Sequence, residues 1–187
     1  LVYEDTKSME MNQSFNKNIF TARIFFGDLF FMLGKSFSLI GAFRNKKITR
    51  VLAEKIMTVS SAVNGCRYCE WFHAKQALSS GISQAEIKNM LNLQFHADAS
   101  DFELPALLYT QHYAETNRNP DADMTKRFTE FYGEKTASHI YILIRLITFG
   151  NLGGNTWEAV LNRFKGEPVE NSNLLFEIVF LLFSFWI

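Results

Sequence analysis

Residues 54–73 read Glu54-Lys55-Ile56-Met57-Thr58-Val59-Ser60-Ser61-Ala62-Val63-Asn64-Gly65-Cys66-Arg67-Tyr68-Cys69-Glu70-Trp71-Phe72-His73. Both cysteines of the 187-residue chain lie here. Asn64-Gly65 is a turn signal, and Asn64 is a plausible cap for the helix that follows. From Cys66 the pattern is helical, and residues three and four apart share a helix face. Cys66, Cys69 and His73 therefore line one stripe, with the His73 imidazole leaning back over Cys69. Before the turn, Ile48, Val51, Leu52, Ile56, Val59 and Val63 repeat at helical spacing and place Glu54 on the preceding helix. An antiparallel hairpin would return Glu54 to the Cys–His face.

The chemistry these residue types permit is redox. A thiolate is the reactive form of cysteine and needs a field or a base to form at neutral pH. Cys66 in the first turn meets the positive end of the helix dipole, and neighbouring Arg67 adds to that field. His73 can act as the base, and Glu54 can hold its tautomer. Zinc is the competing reading of a Cys-x-x-Cys with a nearby histidine. No second cysteine pair is present, however, and His96, His112 and His139 are scattered, so no metal is expected. A structural disulfide closing so short a loop would restrict little unfolded-chain entropy. Two inert core cysteines are the remaining alternative.

The pattern Glu54, Cys66, Cys69, His73 resembles the signature of the alkyl hydroperoxidase D (AhpD) family, within the carboxymuconolactone decarboxylase superfamily. The wording Asn-Gly-Cys-Arg-Tyr-Cys-Glu-Trp-Phe-His-Ala over 64–74 and Ser-Gly-Ile-Ser-Gln-Ala-Glu-Ile over 80–87 carries the resemblance. It implies an all-α AhpD-like fold with the redox pair at the start of a helix in a helical hairpin. It also implies that Cys69 attacks a hydroperoxide and Cys66 resolves, with Glu54 acting through His73. No bound cofactor is implied. The reductant would be an external dithiol such as a lipoyl group, with a lipoyl protein and a peroxiredoxin as partners. The family forms trimers or hexamers, so a homo-oligomer is expected. The expected activity is a thiol-dependent peroxidase or thiol–disulfide oxidoreductase. The alternatives are a lyase like carboxymuconolactone decarboxylase and a non-catalytic oligomeric or membrane-peripheral protein.

Outward from this stretch, helical periodicity recurs with short connections and no strand alternation, so the class is all-α. Residues 1–18 read as an N-terminal arm and 19–187 as a single all-helical domain, with its core motif at 48–94. Residues 19–43 carry Phe20, Phe25, Phe26, Phe30, Phe31, Phe37 and Phe43 at helical spacing, read as one or two core or interface helices. Arg23, Asp28 and Lys35 interrupt that stripe, short of the roughly 20 apolar residues of a membrane span. Capping boxes at Ser83–Glu86 and Ser100–Glu103 open helices, the second with Pro105 in its first turn. Helix 122–132 follows the turn Asn119-Pro120-Asp121. A helix over Ala137–Phe149 is expected to end at Gly150, with Asn151, Gly153 and Gly154 in a turn. Asn155 to Glu158 would then open a new helix over 156–165.

The tail from residue 173 is apolar nearly all round, which points to burial at a subunit interface. Arg145, inside an apolar helix, needs a carboxylate partner. His112 reads as a surface histidine and His139 as a satisfied core or interface one. Tyr68 packs or lines a pocket mouth. Lysine plus arginine equals aspartate plus glutamate, 19 each. That balance gives no net electrostatic footprint for nucleic acid or an anionic membrane. Two close cysteines and no visible leader make the cytoplasm the default compartment.

Overall fold

The computed structural model describes residue 15 and residues 17–184 except 98. Most of the expected N-terminal arm and the last three residues of the apolar tail lie outside the described residues. Among the described residues the chain is helical without strands: α1 (Ala22–Gly34), α2 (Ser36–Phe43), α3 (Arg50–Asn64), α4 (Arg67–Ser79), α5 (Gln84–Leu91), a 3₁₀ turn at Phe95–Ala97, α6 (Leu104–Glu115), α7 (Ala122–Tyr132), α8 (Glu134–Phe164) and α9 (Leu174–Ser184). This is the all-α, AhpD-like architecture expected.

α3 is the hub, packed against α4, α5, α6 and α8. Its capping residue Thr49 accepts from the Leu52 N–H at 3.1 Å, which satisfies one orphan donor of the first turn. Leu52, Ile56 and Val59 enter the main core beside Met90, Leu107, Tyr113, Ile140, Leu143 and Ile144. Its other face is polar yet buried: Thr58, Ser60, Ser61 and Asn64. That face is served by α8. The Ser61 hydroxyl lies 3.0 Å from Asn151 Oδ1, and Asn151 Nδ2 donates to Ser60 Oγ at 3.3 Å. Asn155 Nδ2 donates to the Asn64 carbonyl at 2.9 Å and to the Asn18 carbonyl at 3.0 Å. Buried polar groups without partners would be costly, so the two helices specify each other's register here.

These contacts explain the main departure from the sequence reading. α8 does not stop at Gly150. It runs for 31 residues through Gly150, Gly153 and Gly154, and Asn155 lies inside it rather than at a new helix start. Glycine lowers intrinsic helix stability by about 1 kcal/mol relative to alanine. The Asn151 and Asn155 hydrogen bonds offset that loss. Gly154 alone of the three serves close approach: a Cβ there would meet Cys66 Sγ at 2.7 Å, whereas one on Gly153 would make an ordinary contact with Phe20 at 3.8 Å.

The expected capping boxes are present with one qualification each. Ser83 accepts from the Glu86 N–H at 3.2 Å, but the Glu86 carboxylate turns to Lys55 at 2.6 Å. Ser100 and Glu103 bond reciprocally, one turn before α6 begins, and Pro105 sits in its first turn. Lys55 also pairs with Glu103 at 2.9 Å, tying α3 to the start of α6.

The Phe-rich segment folds as two helices. A second core gathers Phe20, Phe25, Leu152, Phe176 and Phe180, so α1, α8 and α9 meet in one aromatic cluster. Asp28 on α1 is buried and takes both Arg118, at 2.5 Å, and Arg145. Arg145 thus finds its carboxylate on α1, and its guanidinium stacks 3.7 Å from the Phe31 ring centroid. α9 buries only Phe176, Glu177 and Phe180. Leu174, Leu175, Ile178, Leu182 and Phe183 are exposed on the single chain, an apolar face of the kind the sequence reading assigned to a subunit interface.

Among the described residues no single helix is long and apolar enough to cross a membrane. α1 and α2 reach that length and composition only as a pair bent by 69°.

Candidate active site

α3 and α4 form the hairpin that carries the site. α3 ends at Asn64, and Gly65 adopts φ +62°, the left-handed conformation that closes helices at least cost when the residue is glycine. The Gly65 and Cys66 N–H groups return to Ala62 and Ser61 carbonyls. Asn64 does not cap α4. Its side chain turns back within α3 and donates to the Ser60 carbonyl at 2.8 Å. The N-cap of α4 is Cys66 itself, without a side-chain capping bond. Cys66 thus stands at the positive end of the α4 dipole.

Cys66 and Cys69 are joined in a disulfide. Both are buried, Cys66 at 2% exposure and Cys69 at 8%. The disulfide lies against α8 at its glycines: Cys69 Sγ is 3.9 Å from the Gly150 carbonyl oxygen. A Cβ at position 154 would stand 2.7 Å from Cys66 Sγ and 3.4 Å from Cys69 Sγ, closer than side-chain carbons approach. Glycine at 154 therefore makes room for the sulfurs.

One turn beyond Cys69, His73 Nδ1 is 3.0 Å from Glu54 Oε2 across the hairpin. Both side chains are largely buried, at 12% and 14% exposure. A carboxylate at this distance accepts from a proton on Nδ1, which leaves Nε2 as the ring nitrogen turned away from Glu54. The Phe72 ring stands edge-on to the imidazole, with centroids 5.1 Å apart. Tyr68 is exposed and stacks on Phe72 at 6.4 Å, so it belongs to the outer surface of α4.

The charge around the helix start differs from the sequence expectation. Arg67 is held by Glu158 of α8 at 2.9 Å, and Lys17 takes the other oxygen of the same carboxylate at 2.8 Å. The Arg67 charge is thereby partnered across to α8. Glu70, one helical turn after Cys66, is partly buried, which pushes its carboxyl upward, with Lys17 and Arg67 pulling against that.

The remaining histidines are placed elsewhere. His112 is half-buried and accepts from the Asp121 N–H at 3.1 Å, at the start of α7. His139 lies beside Asn45 Nδ2 at 3.1 Å and against Gly41. Burial first, and then Lys135, depress its basicity. Among the described residues no group of three His, Cys, Asp or Glu side chains could hold a metal ion.

Gly154, Ser60, Ser61, Asn151, Asn155 and Glu158 were not singled out as site residues by sequence reasoning. The small and amide-rich runs 58–65 and 150–155 are the signal that two helices approach closely there.

Residues 37–110 match the model of the carboxymuconolactone decarboxylase family. The match spans 74 of the 187 residues. It runs from α2 into α6 and contains Glu54, Cys66, Cys69 and His73, in keeping with the AhpD-like resemblance. No curated protein and no solved structure matched the chain. Such a match points to enzyme-like activity in general, and the Cys66–Cys69 disulfide lies inside the matched stretch.

Proposed function

We propose that the protein is a thiol-dependent peroxidase working through the Cys66–Cys69 couple. The observation that carries this reading is the disulfide at the start of α4 with the His73–Glu54 pair one turn further on. In the reduced protein, His73 Nε2 takes the Cys69 proton while Glu54 holds the Nδ1 proton. The Cys69 thiolate attacks one oxygen of a hydroperoxide, the O–O bond breaks, and the leaving alkoxide takes a proton to become an alcohol. Cys69 is now a sulfenic acid. Cys66 attacks its sulfur, the S–S bond forms and water leaves, which prevents further oxidation. An external dithiol, such as a lipoyl group on a partner protein, then exchanges with the disulfide and departs oxidised.

The greater exposure of Cys69 supports it as the sulfur met by both peroxide and reductant. Attack of the reductant on Cys69 releases Cys66 as thiolate. The helix N-terminus stabilises that leaving group. The helix field at Cys66 and the base beside Cys69 thus serve different half-reactions. Assembly into a homo-oligomer and delivery of electrons to a peroxiredoxin partner belong to the same reading. Lyase chemistry, for which the family is named, needs no dithiol.

Trapping of sulfenic acid tests the assignment. After one equivalent of hydroperoxide, Cys66→Ser should retain a trappable sulfenic acid at Cys69. A sulfenic acid formed only at Cys66 in Cys69→Ser would reverse the roles.

A further inference from the structure

The balanced overall charge hides a segregated surface. Residues 29–53 contain Lys35, Arg44, Lys46, Lys47 and Arg50 and no aspartate or glutamate. All five are exposed. Lys35, Arg44, Lys46 and Lys47 have no carboxylate within ion-pair distance among the described residues. The same segment exposes five large apolar side chains, Phe30, Leu33, Phe37, Ile40 and Phe43, with Phe37 at 88%.

These residues are not waiting to turn inward. The inner face of α1 is already committed, with Phe25 in the aromatic cluster and Asp28 under Arg118 and Arg145. Ala42 of α2 is fully buried. α9 joins the same side through Phe183, whose ring lies 5.9 Å from Phe26. It adds exposed Leu182 and part of Phe183 itself. The one acid of α9, Glu177, is buried under Arg163.

From this juxtaposition we infer that the α1–α2 face docks on an anionic lipid bilayer surface. The helix pair is too sharply bent, at 69°, to form a straight span, but two short helices can lie together along an interface. Apolar side chains enter the acyl boundary while lysines and arginines meet the headgroups. The unpaired basic rim decides between occupants. A second copy of this chain would bring its own basic rim to the contact under two-fold pairing, whereas an anionic surface complements it. The inference is independent of the peroxidase reading.

Vesicle sedimentation of the full chain tests it, using phosphatidylcholine alone and phosphatidylcholine mixed with phosphatidylglycerol. The wild type should pellet with the mixed vesicles, more weakly as salt rises, and much less with the neutral ones. Lys46→Ala with Lys47→Ala should lower partition roughly tenfold. Phe37→Ser with Ile40→Ser should lower it by a similar factor, with the far-ultraviolet circular dichroism unchanged in both. Two results would overturn the inference: equal partition into both vesicle types, or none into either. So would light scattering showing a lipid-free oligomer that Phe37→Ser with Ile40→Ser dissociates, together with no vesicle binding, since the face would then belong to a second copy.

Discussion

The Cβ position of Gly154 lies 2.7 Å from Cys66 Sγ, so the backbone of α8 is in direct contact with the disulfide. A helix that reads as broken is continuous there, held by the Asn151 and Asn155 hydrogen bonds, and Gly154 is where the sulfurs press. Two neighbouring glycines should therefore respond oppositely to the same change. Gly150→Ala meets nothing within 4 Å and should stabilise the fold by up to about 1 kcal/mol through helix propensity. Gly154→Ala should destabilise it by about 1–3 kcal/mol, as overpacking does. Urea melts of both variants check this, and a stabilising Gly154→Ala would mean the disulfide does not rest on α8.

The Glu54–His73 contact should matter for reactivity more than for folding. Glu54→Gln keeps the shape but removes the charge that holds the imidazole. The rate of sulfenic acid formation should fall about tenfold to a hundredfold, with the melting temperature nearly unchanged. Stopped-flow peroxide oxidation of the reduced protein reads the first, and calorimetry the second.

Asp28 carries two arginines, so removing it should be far worse than removing either. Asp28→Asn leaves Arg118 and Arg145 without their carboxylate, and breaking a buried pair from one side costs about 3–5 kcal/mol. Arg145→Met leaves Asp28 paired to Arg118 and should cost less. Denaturant midpoints of the two variants give the comparison.

The Lys55, Glu86 and Glu103 network gives a pH dependence of known sign. Burial raises the Glu103 carboxyl, but hydrogen bonds from Lys55 and Ser100 outweigh it and hold the group below its usual range. A depressed folded pKa contributes stability above the unfolded value, which is lost as pH falls through the folded one. Melting temperature should therefore decline on acidification below about pH 4.5, less steeply in Glu103→Gln. At the other extreme, burial pushes Tyr113 and Tyr132 up to about 12. Raised phenols favour the folded state below pH 10, and that advantage should disappear between about pH 10 and 12.

Much of the fold was legible in the sequence because its signals are local. Ser83 before an apolar repeat, Gly65 after one, and Pro120-Asp121 ahead of α7 each act over a few residues. The hairpin was legible for the same reason, since a left-handed Gly65 leaves two helices little choice but to turn back. The continuity of α8 was not legible. Gly150-Asn151-Leu152-Gly153-Gly154-Asn155 has every local mark of a turn, and only Ser60, Ser61 and the sulfurs, distant in sequence, make it helical. Arg145 announced that it needed a carboxylate, but nothing local pointed to Asp28, more than a hundred residues away. The partnering of Arg67 by Glu158 is another long-range contact. At the surface, a net charge of zero concealed how unevenly the basic residues are distributed.

Peroxide consumption with dihydrolipoamide as reductant, comparing wild type with Cys69→Ser, tests the central claim most directly. Turnover in the wild type that falls to the buffer rate in Cys69→Ser is the predicted result. Equal rates for the two proteins would contradict a mechanism built on this dithiol.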